Sequence, residues 1–193
     1  MNAEVRNLVW APAVEPPAIS RTPGLTARST LNSAFLPLAE RLRQLKSSRP
    51  DTVVVAFTAS APGAGVTYVV QNLALELARY TGERVVTTTP AALAPALEDC
   101  SPADDDPRSL NFATLREEYD YVLIDCPPVC DSCDAVLLGK ISDGCVLVVD
   151  AGRTTRDQLR GAAMTLAQNS TTLLGYVLNK RTYPIPSFIH RWF

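Results

Sequence analysis

The chain has almost no histidine: His190 is the only one. It lies in the C-terminal tail with no ligand-like neighbour, so it reads as a surface residue. An excess of positive charge is also missing, with 18 Lys and Arg against 20 Asp and Glu for a net charge of −2. That balance excludes the basic surface on which non-specific nucleic-acid binding rests. No apolar run approaches the roughly 18–20 residues that a membrane-crossing helix needs. The opening stretch MNAEVRNLVWAPAVEPP lacks the basic-then-apolar pattern of a signal peptide. The expectation is a cytoplasmic protein whose five cysteines (Cys100, Cys126, Cys130, Cys133 and Cys145) are reduced.

What is present suits one domain with a hydrophobic core. The chain has 193 residues, 47% of them apolar and 20% charged. Residues 1–29, with Pro12, Pro16, Pro17 and Pro23 among small and polar residues, read as a flexible arm without a core of its own. Trp10 is its one large aromatic. A helix is predicted from about Ala34 to Lys46, where Phe35, Leu38, Leu42 and Leu45 form one stripe. Glu40, Arg43 and Lys46 lie three apart on another face of it.

Thr52 to Phe57 is a β-branched, apolar run bounded by turn formers and reads as a buried strand. A loop of small residues, Thr58 to Gly65, follows it. Thr67 to Tyr80 then carries Val70, Leu73 and Leu77 at helical spacing. Further strands are predicted at Arg84–Thr88, Tyr121–Asp125, Cys145–Asp150 and Leu173–Asn179, with a helix from Thr155 to Gln168 capped by Thr154 or Thr155. Between Pro90 and Pro107 the pattern fades, and Asp104, Asp105 and Asp106 read as a solvated loop. Strands that are apolar along their length and alternate with helices predict an α/β fold: a P-loop NTPase-like three-layer sandwich with a mainly parallel central sheet. Ligands of such sheets bind beyond the carboxyl ends of the strands. The glycine loop, Asp125, Asp150 and Asn179 converge on that rim.

The loop reads Ser60-Ala-Pro-Gly-Ala-Gly65-Val66-Thr67. Against the phosphate-loop pattern G-x-x-x-x-G-K-[ST], Gly65 and Thr67 fit, Ser60 takes the first glycine position, and Val66 takes the lysine position. Backbone N–H groups and the helix N-terminus can still cradle an anion, and Thr67 can still offer a hydroxyl to Mg²⁺. The cation that reaches the terminal phosphates is gone. Charge stabilisation is the main catalytic contribution in phosphoryl transfer, so its loss predicts weak nucleotide binding and severely reduced turnover. A ligand-free strand-to-helix turn is the alternative reading of the loop alone.

Several ordered segments together resemble the bacterial tyrosine kinases of capsule and exopolysaccharide synthesis. Val53–Leu77 looks like their Walker A region, and Tyr119–Val129 (YDYVLIDCPPV) is similar to their second acidic motif. Asp134–Leu138, Val146–Leu159 and Leu173–Lys180 resemble the segments that follow. The likeness covers roughly residues 35–180. It implies ATP or ADP with Mg²⁺ at Gly63, Ala64, Gly65, Val66, Thr67, Asp125 and Asn179. Thr67 and Asp125 would be the metal ligands, Asp125 the one catalytic candidate, and Asn179 a contact to the base. It also implies a ring-forming homo-oligomer through Glu40, Arg43 and Lys46, with Lys46 in an arginine place. The partner would be a membrane-embedded polysaccharide export or co-polymerase protein, or a related active kinase, with any membrane association made through it.

The departures from that family agree with one another. Val66 replaces the lysine. Thr89 and Ala91 stand where the family's Asp-x-Asp carboxylates would be. The stretch before Asp125 is short, and Tyr183 is the only tyrosine in the tail, residues 181–193, which otherwise carries Phe188, Trp192 and Phe193. The reading is a degenerate kinase-like domain over residues 30–180 that acts as a scaffold, with an active ATPase or kinase using Arg153 or Arg156 for charge as the alternative. Cys126, Cys130 and Cys133 have the spacing of some thiolate clusters. They stand at ordinary loop positions of the family, so unremarkable loop cysteines are the expectation, ahead of a zinc or redox pair.

Overall fold

The computed structural model describes residues 19–21, 35–48, 51–93 and 113–181. The acidic run at Asp104–Asp106, Trp10, Cys100, His190 and the aromatic tail lie outside them.

The elements run β1 (Ile19–Arg21), α1 (Leu36–Ser47), β2 (Val53–Ala59), α2 (Val66–Thr81), β3 (Val85–Thr88), α3 (Ala113–Glu118), β4 (Tyr121–Asp125), α4 (Asp134–Ile141), β5 (Gly144–Asp150), α5 (Arg156–Gln168) and β6 (Leu173–Asn179). They build one sheet in the order β1-β3-β4-β2-β5-β6. Five strands are parallel and β1 pairs antiparallel with β3, Ile19 opposite Thr88. The α/β expectation is met. The antiparallel edge strand was not foreseen: Ile19–Arg21 fall within the stretch read as an arm, and a three-residue strand there leaves no periodic signal. Nor were α3 and α4, which are too short to show a helical stripe.

The layers follow from the strand period of two. Val53, Val55 and Phe57 of β2 face a core built with Phe35, Ala39 and Leu42 of α1 and Val70, Leu73 and Leu77 of α2. Val54 and Ala56 face the opposite core, built with Ala135 and Leu138 of α4 and Ala162 and Leu166 of α5. Helices cover both faces, which is why β2 and β5 are buried at every residue and read as unbroken apolar runs. Thr155, not Thr154, caps α5, in a reciprocal capping box with Gln158. The Thr154 hydroxyl instead accepts the Asp150 N–H at 3.1 Å. Among the described residues no helix is long and apolar enough to cross a membrane.

Lys46 does not share the solvent with Glu40 and Arg43. Its ammonium lies 3.0 Å from Asp120 Oδ1, 3.4 Å from Glu83 Oε1 and 5.0 Å from the centre of the Tyr121 ring. Glu40 and Arg43 stay exposed but pair with each other at 2.7 Å, and the Tyr80 hydroxyl donates to Glu40 at 2.7 Å. The motif therefore ties α1 to its own chain before it meets any other.

Burial pushes the Asp120 carboxyl up, but the Arg84 N–H, Lys46 and the Arg84 side chain outweigh it and hold it at about 2. A lowered folded-state value stabilises the fold above the unfolded value near 3.9, and that contribution is lost as pH falls towards 2. Asp120→Asn is therefore expected to cost about 1–2 kcal/mol at pH 7. Its melting curve should converge with that of the natural protein as the pH approaches 2; a constant difference across that window would show that the charge is not the cause.

Candidate functional site

β2 is flanked by β4 and β5 at the centre of the parallel strands, and its chain turns directly into α2. The turn needs its glycines. Gly63 and Gly65 have φ of 77° and 89°, a region L side chains rarely adopt. A Cβ on Gly65 would also lie 2.3 Å from Asn179 Nδ2. Val66, in the lysine position, is 9% exposed and belongs to the core under α1 and α2.

Beside this loop opens a cleft of about 580 Å³, lined by residues 61–68, Thr89, Pro90, Ala91, Asp125–Pro128 and Asp134. Among the described residues its charged lining groups are Asp125 and Asp134, and no lysine, arginine or histidine lines it. Thr89 and Ala91 take their places on its wall, so β3 supplies no carboxylate. Asp125 ends β4, and the Thr67 side chain lies close enough to favour its charged form. Burial pushes its carboxyl up, and the Thr67 contact only partly offsets this. A hydroxyl and a carboxylate in contact fit a hard cation that takes its remaining oxygens from water or phosphate. Thr67 and Asp125 are the residues that would hold Mg²⁺, whose chemistry there would be to neutralise phosphate charge.

Other predicted residues lie elsewhere. Asn179 is 1% exposed; its Nδ2 donates to Ala64 O at 2.6 Å and its Oδ1 accepts the Lys180 N–H at 2.7 Å. Asp150 is buried and faces Lys180 Nζ at 3.3 Å. Both stand behind the loop, away from the cleft. Arg153 and Arg156 are exposed and line no part of it. Cys126 is buried at the cleft wall, whereas Cys130 and Cys133 are exposed, so the three sulfurs do not share an environment. Burial pushes the Cys126 thiol well up and Cys145 up to about 12, which makes both poor nucleophiles. Among the described residues no three His, Cys, Asp or Glu groups are placed to hold a metal. Asp134 and Lys180 were not singled out from the sequence: each was quoted only as the end of a matching segment.

A strand, a glycine loop with two left-handed residues, a helix, and an acid at the end of the neighbouring strand define a P-loop α/β protein. Its relatives are bacterial tyrosine-protein kinases. The chain is 41% identical over 61 residues to the tyrosine-protein kinase YwqD of Bacillus subtilis (strain 168), covering 32% of this chain and 26% of that protein. It is 37% identical over 76 residues to the putative tyrosine-protein kinase CapB of Staphylococcus aureus, covering 37% and 33%. It thus matches about a third or less of the length of these relatives. No family model matches the chain. In fold it is similar to the chimerical protein CapA2B2, with a TM-score of 0.62 at 22% identity over 81% of this chain and 87% of that one. The kinase domain of the Escherichia coli tyrosine kinase ETK gives 0.56 at 20% identity, over 84% and 87%.

Asp125 gives this site a pH signature. A carboxyl raised in the fold adds stability below its unfolded value, and loses it as pH rises through the folded one. At pH 7 the ionised, buried group therefore weighs against the fold. Asp125→Asn should raise the melting temperature at pH 7 by a few degrees, and the gain should shrink as the pH falls and be gone by pH ~4. An Asn variant that melts lower than the natural protein at pH 7 contradicts this.

Proposed function

We propose that this protein is a catalytically impaired relative of the exopolysaccharide-associated tyrosine kinases and works by protein–protein contact. One observation carries the reading: among the described residues, the cleft that would hold a nucleotide is lined by two carboxylates and no cationic side chain. Phosphoryl transfer needs positive charge where negative charge develops, and here every unit of it would have to come with the metal. Thr89 and Ala91 add no ligand or base to replace what β3 has lost. The exposed positions of Arg153 and Arg156, off the cleft, weigh against an active enzyme that borrows their charge.

The retained Thr67–Asp125 pair and the glycine loop support weak, Mg²⁺-dependent binding of ATP or ADP as a structural ligand. The partner suggested by the kinase resemblance is a membrane-embedded polysaccharide export or co-polymerase protein, or an active kinase of the same system. Self-association through α1 would rest on Glu40 and Arg43, because Lys46 is turned inward.

The test is calorimetric titration with Mg-ATP beside a tyrosine-phosphorylation assay, for the natural protein and Val66→Lys. Val66 lines the cleft as well as the core, so a longer side chain can leave through that opening. Weak or absent binding by the natural protein is expected. The variant should bind at least about tenfold tighter, one charge-assisted contact being worth roughly 1.5–3 kcal/mol. Neither should phosphorylate tyrosine, because the β3 acids are still missing. Phosphorylation by the purified natural protein would overturn the reading.

A further inference from the structure

Lys180 reaches the glycine loop, yet it lines no part of the cleft where a phosphate would sit. Its ammonium donates to the Gly63 carbonyl and faces the buried Asp150 carboxylate at 3.3 Å. Asn179 takes the next carbonyl, Ala64 O, at 2.6 Å. Asp150 is fixed in turn, its Oδ1 accepting the Gly152 N–H at 2.9 Å. Lys180 itself has φ 57°, a left-handed conformation uncommon for a residue with a side chain. Such backbone persists only where the surroundings hold it, and it concentrates at functional sites.

The peptide bond turns these contacts into an aim. In a trans peptide the C=O of one residue and the N–H of the next point in opposite directions. Drawing the Gly63 and Ala64 carbonyls towards β6 therefore directs the Ala64 and Gly65 N–H groups away from β6. Residues just after β3 and at the end of β4, including Thr89 and Asp125, line the cleft on that other side of β2. Among the described residues no acceptor takes either N–H. Paired, unsatisfied amides of this kind form an anion-receiving concavity.

We propose that Lys180, seated by Asp150 and helped by Asn179, is a positioning residue that latches the glycine loop in its anion-receiving shape before any ligand arrives. It serves the loop from behind and cannot stand in for the missing lysine at position 66. The latch deepens the nucleotide-binding part of the proposed function and rests on it for its purpose, though not for its geometry.

Hydrogen exchange of the full chain tests it. Lys180→Met alone leaves Asp150 buried and unpaired, so the double variant Lys180→Met/Asp150→Asn is compared with it and with Lys180→Arg. Expected in the double variant is a rise of about tenfold or more in exchange for the residue 60–67 peptide, with β2 and β5 unchanged and partial recovery in Lys180→Arg. Unchanged loop exchange, or a rise spread evenly over β5 and β6, would overturn the latch. Mg-ADP titration is the second arm: where the natural protein binds, the double variant should bind at least about tenfold more weakly, and equal affinity also overturns it. Absence of Mg-ADP binding by the natural protein counts against the nucleotide reading alone, and the exchange result then decides the latch.

Discussion

The site depends on β2 being buried from end to end. Its residues Val53–Ala59 have neighbours on both faces and hydrogen-bonded strands on both sides, so neither end can shift without moving the whole sheet. The glycine loop begins where that strand stops. Its position is set by the core and not by a ligand, and the ends of β4, β5 and β6 bring Asp125, Asp150 and Asn179 around it by parallel register alone. The residues that place the loop are thus the same ones that hold the protein together.

Much of this was legible because the signals are local. β2, β4, β5 and β6 read from apolar runs; in β2, β4 and β5 burial on both faces makes them runs, whereas β6 is a half-exposed edge strand. Gly65 and Thr67 read from a motif whose spacing is dictated by one turn of backbone. Asp125 read from its place at the end of a strand. The latch did not read, because it depends on the left-handed backbone of Lys180 and the reach of its side chain to a loop far away in sequence. The inward turn of Lys46 escaped for the same reason. Spacing along α1 aligns it with Glu40 and Arg43, and only the arrival of Asp120 and Glu83 from other segments draws it away. Asn179 was placed correctly at the rim, but its amide is committed to the loop and to Lys180.

The two ends of the sheet manage charge in opposite ways. At the amino ends of β3 and β4, Lys46 and Arg84 surround Asp120, and the acid is held ionised. At the carboxyl ends, Asp125 has only a threonine hydroxyl for company, and burial works against its charge. The first arrangement is what a structural ion-pair network requires. The second is costly to the fold and is tolerated in the way functional sites commonly are.

That contrast bears on why the missing groups would disappear together. With a lysine at position 66, two further carboxylates from β3 can be neutralised through the metal and the phosphate they serve. With valine there, the same carboxylates would join Asp125 and Asp134 around a cleft that no cation lines among the described residues. Position 89 is half-buried and position 91 exposed, so each added charge would cost less than a fully buried one, but it would still repel Asp125 and Asp134 and raise their affinity for protons. Threonine and alanine at positions 89 and 91 carry no such penalty. With valine at position 66, electrostatics therefore favours the uncharged residues that stand at positions 89 and 91 beside the intact loop.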